Sequence, residues 1–208
     1  GALEAAALKR SYRKEIIIMV SNLRGIHLAA NQVANFRSVG IEHYLLITNT
    51  AQCCQRLMAG PWDLTCGWTS YLLNHPRLHT YQLTKEESAV PFRLWWVRFQ
   101  FLERLVGLGY NAMYVDTDVS FRVNPYPLFK GPFARYTLFG QDETGFINGI
   151  NIGFIYVQNA LSTGGARRVF NETLMRMYSI LEAEEPLRKW DGNVATGAKE
   201  VLWDQHIY

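Results

Sequence analysis

Asp116 and Asp118 stand one residue apart where the apolar, β-prone run Met113-Tyr114-Val115 ends, and Asn124-Pro125 closes the segment with a turn. Residues i and i+2 of a strand share a face, so this spacing predicts two carboxylates aimed at one object. Two close carboxylates repel each other unless a cation lies between them. Hard oxygen ligands suit Mg²⁺ or Mn²⁺, which use one or two carboxylates together with substrate phosphates. The C-terminal end of a buried strand is also where open α/β sheets bind ligands. A solvated loop whose Asp side chains accept backbone hydrogen bonds would show the same spacing.

The elements that must position this pair can be read on either side of it. Pro91 to Gly109 has the longest helical pattern, with Pro91 near its first turn and Gly109 as its stop. At helical spacing Arg93, Gln100, Glu103 and Arg104 share a narrow polar face, with Trp95, Phe99, Leu102, Leu105 and Val106 broadly opposite. Arg98 falls inside the apolar arc. A buried guanidinium needs an anion, either an internal Asp or the oxygens of a diphosphate, for which Arg is well shaped. Earlier in the chain, Glu15–Val20 and Tyr44–Thr48 are continuous apolar runs, as expected of strands covered on both faces. Helical patterns follow at Ile26–Val39, stopped by Gly40, and at Ala51–Ala59. Strand, helix, strand, helix predicts a βαβ unit and a parallel sheet. Residues 2–14 read as a short polar helix or leader, and 60–90 as an irregular, aromatic-rich insert. Further strands are expected at Tyr136–Gly140 and over Phe146–Val157, and an amphipathic helix over 165–182, facing the core through Val169, Phe170, Thr173, Leu174, Met177 and Leu181.

Composition narrows the classes. A chain of 208 residues with 49% apolar content can bury the core of one α/β domain, here expected over 15–208. A net charge of +3 is too small to imply a nucleic-acid partner, and no stripe of Lys and Arg forms, so no nucleic acid is expected. No apolar run approaches the ~20 residues of a membrane helix. Cys53, Cys54 and Cys66 make no zinc pattern. One bridge from Cys53 or Cys54 to Cys66, or three unpaired thiols, both suit the spacing.

The block Leu108–Val119 followed by Asn124-Pro125 resembles the core of the nucleotide-diphospho-sugar transferases of glycosyltransferase family 77. There a Gly-Tyr pair precedes a strand, an Asp-x-Asp-Val and an Asn-Pro or Asp-Pro. The likeness extends to Asn31 in the first helix, to Gly40–Ile47, to Asn151, Gly153, Phe154 and Tyr156 of an Asn-x-Gly-Phe-x-Tyr strand, and to the Asp204-Gln205 pair beside Trp203. Where the family often has an acidic residue after its second strand, Thr48-Asn49-Thr50 stands here. The resemblance implies a GT-A-type, Rossmann-like α/β sandwich with a mostly parallel sheet and an Asp-x-Asp motif. In it Asp116 and Asp118 would hold Mn²⁺ or Mg²⁺. Arg98, Asp116, Thr117, Asp118, Asn151 and Gly153 would bind the donor, and Asp204 and Gln205 would face the acceptor hydroxyl or anomeric carbon. His206 is a further candidate metal ligand.

It further implies transfer of a pentose or galactose from a UDP-sugar to a glycan or glycoprotein, with retention of configuration. The expected setting is the Golgi lumen, on a type II membrane anchor that this chain does not contain. The family domain continues beyond a point such as Tyr208, so truncation at the C-terminus is expected. Physically, a Gly within a strand marks a bulge or a close approach of ligand to backbone, while Asn148, Asn151 and Asp204 would serve equally as turn or cap residues.

Two other classes fit an apolar strand ending in Asp-x-Asp. A haloacid-dehalogenase-type phosphatase would use Asp116 as nucleophile, yet it carries the motif on its first strand and needs a later Asp pair. The other is a catalytically silent glycan-binding domain.

Overall fold

The computed structural model describes residues 1–61, 63–70, 89–142 and 150–182, with backbone alone for 89–95, 180 and 181. In chain order the elements are α1 (Ala2–Arg10), β1 (Glu15–Val20), α2 (Ile26–Ser38), β2 (Tyr44–Thr48), α3 (Ala51–Ala59), β3 (Cys66–Trp68), α4 (Ala89–Gly107), β4 (Asn111–Val115), α5 (Tyr126–Lys130), β5 (Leu138–Asp142), β6 (Ile150–Val157) and α6 (Gly165–Glu182). They form a mixed α/β domain around a six-stranded sheet of order β3-β2-β1-β4-β6-β5. β3, β2, β1 and β4 run parallel; β6 is antiparallel to β4, and β5 to β6.

The apolar runs of β1, β2 and β4 have the cause expected of them, since both faces are covered. Ile16, Ile18, Ala112 and Tyr114 join the core made with Val97, Phe99 and Leu102 of α4 and Phe170, Leu174 and Met177 of α6. Ile17, Met19, Met113 and Val115 join the opposite core, with Ala29, Val33 and Phe36 of α2 and Phe129 of α5. Each such side chain contributes about 1.5–3 kcal/mol on burial. The helix stops behave as predicted, for Gly40 and Gly109 take φ of +76° and +79°.

Several expectations shift. The 60–90 insert contains a strand, β3, which extends the parallel sheet beside β2. Cys54 of α3 is bridged to Cys66 of β3, and Cys53 is a buried free thiol. Closing a loop of this length contributes about 3 kcal/mol. β5 begins two residues later than the Tyr136 start read from the sequence. Val169 is 39% exposed and takes no part in the α6 core face. The register between β5 and β6 breaks between Gly140 and Gln141: Gly140 pairs Ile155 while Gln141 pairs Asn151, so residues 152–154 have no partner on β5. This bulge lets both Ile152 and Ile155 face the α4 core.

Candidate active site

β4 ends at Val115, and Asp116 to Asp118 already belong to a turn closed by Val119 N–H on Asp116 O at 3.2 Å. The shared-face argument for the two carboxylates is therefore corrected. Only Asp116 continues the face of Ala112 and Tyr114, towards α4. Asp118 sits on the turn and is exposed, with Thr117 half-buried between them. The turn itself is held from α2. Asn35 Oδ1 accepts from Phe121 N at 2.7 Å, and its Nδ2 donates to Phe121 O at 2.9 Å. Asn124 Oδ1 accepts from Tyr126 N at 3.0 Å and starts α5.

Asp116 is gripped on three sides. Its backbone N–H donates to Gly153 O at 2.7 Å. Its Oδ1 accepts from the hydroxyl of Tyr114, a residue 1% exposed, and faces Arg98 Nη1 at 3.5 Å. The Arg98 side chain is 3% exposed and that of Asp116 33%. Arg98 also donates to Ile152 O at 3.2 Å and lies over the Tyr114 ring, 5.0 Å from its centroid. The β6 bulge thus turns two consecutive carbonyls, Ile152 O and Gly153 O, onto the arginine and the aspartate. Of the two readings of Arg98, the internal-Asp one is what the fold shows, and that Asp is the motif's own first carboxylate. Burial pushes the Asp116 carboxyl above the usual carboxylate range; Arg98 and then Tyr114 pull it down, and the nearby Asp118 charge raises it further.

Gly153 is a close approach, and what approaches is Asp116. A Cβ at Gly153 would lie 2.8 Å from an Asp116 carboxylate oxygen and 2.8 Å from Asn151 Oδ1. Asn151 Oδ1 itself accepts from Gly153 N at 2.8 Å, so the Asn braces the bulge. Gly153→Ala should push the Asp116 carboxylate aside. Under the metal-bridged donor reading proposed below, UDP affinity in Mn²⁺ should weaken at least tenfold, about 1.4 kcal/mol, as read by calorimetry. An unchanged affinity would show that the position of Asp116 is immaterial.

Arg98, Asp116, Asn151 and Gly153 are brought together, with Thr117 and Asp118 beside them. Asn31 is exposed on α2; it is Asn35, one turn further on, that reaches the motif loop, and its sequence signal was only an Asn on the helix face four residues from the one singled out. Asn148, Asp204, Gln205 and His206 lie outside the described residues. Among the described residues no group of three or more His, Cys, Asp and Glu could hold a metal. A two-carboxylate donor set of hard oxygens fits Mg²⁺ or Mn²⁺ that takes its remaining ligands from phosphates and water.

A mostly parallel α/β sheet, with a gripped Asp and an exposed Asp beyond the C-terminal end of an inner strand, defines a ligand-binding domain of the nucleotide-binding kind. The motif follows the fourth strand in sequence, not the first as the phosphatase reading requires. The family model described as nucleotide-diphospho-sugar transferase matches residues 41–181, most of the 208-residue chain. The chain belongs to that family and is a glycosyltransferase. No curated protein matches it significantly.

Proposed function

We propose that this domain transfers a sugar from a UDP-sugar to a glycan or glycoprotein acceptor with the help of Mn²⁺ or Mg²⁺, in the manner of glycosyltransferase family 77. The observation that carries the reading is Asp116 clamped by Tyr114, Arg98 and Gly153 beside the exposed Asp118. Asp116 and Asp118 would hold the cation, whose chemistry is to neutralise charge growing on the leaving diphosphate. Arg98 keeps the Asp116 carboxylate ionised and oriented in a half-buried site, and its fixed positive charge favours an anionic leaving group nearby. Tyr114 donates to the same oxygen. Asn151 holds the bulge in the shape that admits Asp116, and with Gly153 lines the donor side.

Thr48-Asn49-Thr50 at the end of β2 offers no carboxylate for uridine, and its hydroxyls serve the fold: Thr48 is fully buried and Thr50 Oγ1 caps α3 by accepting from Cys53 N at 3.0 Å. Asp204 and Gln205 are assigned to the acceptor hydroxyl or anomeric carbon on the resemblance alone. Retention, and a pentose or galactose as the sugar, rest on the same footing. A Golgi-lumen setting gains support from the Cys54–Cys66 bridge, since disulfides persist in oxidising compartments. Among the described residues no helix is long and apolar enough to cross a membrane.

The test is a calorimetric titration of UDP in Mn²⁺ and again in chelator, followed by nucleotide release from a panel of UDP-sugars. Binding should collapse in chelator, and one UDP-sugar should turn over with acceptor. Equal affinity in both buffers would sink the metal-bridged donor site. Metal-dependent UDP binding with no turnover on any sugar would leave the metal-bridged nucleotide site standing and overturn the UDP-sugar and acceptor assignment.

A further inference from the structure

A cleft of about 790 Å³ opens at the other end of the sheet, lined by Lys9, Arg10, Tyr12, Arg13, Glu15, Glu42 and His43 among others. Its floor lies where the parallel strands begin, since Glu15 and Asn111 are register partners at the starts of β1 and β4. Five residues of β4 separate Asn111 from Asp116, roughly 16 Å of extended chain. The donor reading uses none of this surface.

The charges in the cleft do not cancel. Glu15 is 8% exposed and already matched. It takes Lys130 Nζ at 2.6 Å, Asn111 Nδ2 at 2.7 Å and the Tyr156 hydroxyl at 2.9 Å. Glu42 faces Arg37 at 3.6 Å. Arg10 is anchored on neutral groups, the carbonyls of Glu42 at 3.2 Å and Tyr44 at 3.5 Å, and keeps its full charge. Arg13 lies over the Tyr12 ring, 5.2 Å from its centroid. Among the described residues no ion pair engages Lys9, Arg10 or Arg13. With Lys9, Arg10, Arg13 and Lys130 against Glu15 and Glu42, the lining of the cleft is net positive.

The backbone holds Arg13 there against its own preference. Tyr12 and Glu15 exchange both backbone hydrogen bonds, at 2.9 and 2.8 Å, around a two-residue turn. Arg13 and Lys14 occupy it with φ of +51° and +66°. Such a turn favours Asn-Gly, and residues kept in the left-handed region concentrate where function requires them.

We propose that this cleft binds a carboxylate-bearing sugar, a uronate unit of a glycan. Arg10 and Arg13 offer forked donors for a planar carboxylate. Tyr12, 57% exposed and 6.0 Å from the His43 ring, offers an apolar face for a pyranose ring. The volume suits a small organic ligand, and an inorganic anion alone would leave most of it unfilled.

Titration of the protein with a short galacturonate oligomer, followed by NMR or calorimetry, tests this independently of the donor site. Saturable binding is expected, at least tenfold tighter than for the neutral galactose oligomer of the same length. Arg13→Gly should weaken it at least tenfold while leaving thermal stability equal or higher, because Gly suits positive φ. Lys9→Gln should weaken it as well. UDP binding, unchanged in both variants, reports that the donor end is intact. Equal binding of charged and neutral oligomers overturns the proposal, as does an unaffected Arg13→Gly variant. Displacement of the oligomer by inorganic sulfate at the same concentration would reduce the cleft to a plain anion site and overturn the sugar assignment.

Discussion

Replacing Arg98 with Met should lower the unfolding free energy by about 3 kcal/mol, the lower end of the range for breaking a buried ion pair. Met keeps the length of the side chain and removes its charge, so the core beside Phe99 and Leu102 stays filled. What is lost is the counter-charge of Asp116, which burial already disfavours. The estimate sits at the low end because the Asp116 side chain is one-third exposed and keeps the Tyr114 hydroxyl. The sign with pH follows from the direction of the shift. The folded-state value of Asp116 is raised above its unfolded one, and the substitution raises it further. The deficit should be full only above the variant's further raised value, shrink as pH falls from there to the parent's, and vanish below it, where Asp116 is protonated in both proteins. Urea denaturation at neutral and mildly acidic pH measures it. Under the proposed reading, Mn²⁺ should return part of the lost stability by supplying the missing positive charge. An unchanged urea midpoint would separate Arg98 from Asp116.

Asp118→Asn should do the converse, leaving the fold intact and removing the ligand. Asp118 is an exposed turn residue, so stability should stay within about 0.5 kcal/mol of the parent. Asn keeps the shape but offers a neutral carbonyl and an amide in place of an anionic oxygen pair. Under the proposed reading, UDP affinity in Mn²⁺ should fall at least about 100-fold, or 2.7 kcal/mol. Calorimetry in Mn²⁺ and in chelator gives the comparison, with the chelator value equal in both proteins. If the variant kept its Mn²⁺-dependent affinity, the carboxylate pair would not be the metal holder.

The two substitutions separate roles that the sequence had merged. In the sequence, Asp116 and Asp118 are two equivalent carboxylates on one strand face. In the folded chain the strand stops at Val115, one residue before the first of them. Asp116 then belongs to the buried face with Tyr114 and Arg98, while Asp118 belongs to solvent. Where a strand ends is decided by its partners, here β6 and its bulge, and a local pattern holds no information about them.

What the sequence determined by itself was most of the elements and their order. The unbroken apolar runs of β1 and β2 read as strands covered on both faces, and they coincide with the strands end to end. Gly40 and Gly109 could be read as helix stops because positive φ is a local requirement. Arg98 could be flagged because a cation at helical spacing among apolar residues must find an anion.

Which anion it finds was a tertiary decision, since Asp116 lies across two elements and depends on carbonyls from a third. β3 escaped notice because three residues carry no period, and it exists as a strand only through its pairing with β2. Asn35 was invisible for a related reason. Its worth lies in Phe121, 86 residues away. The uncancelled cations of the second cleft are the plainest case. Lys9, Arg10 and Arg13 show no stripe in sequence, and Glu15 and Glu42 line the same cleft. Only the fold shows that Lys130 and Arg37 have already matched those two carboxylates.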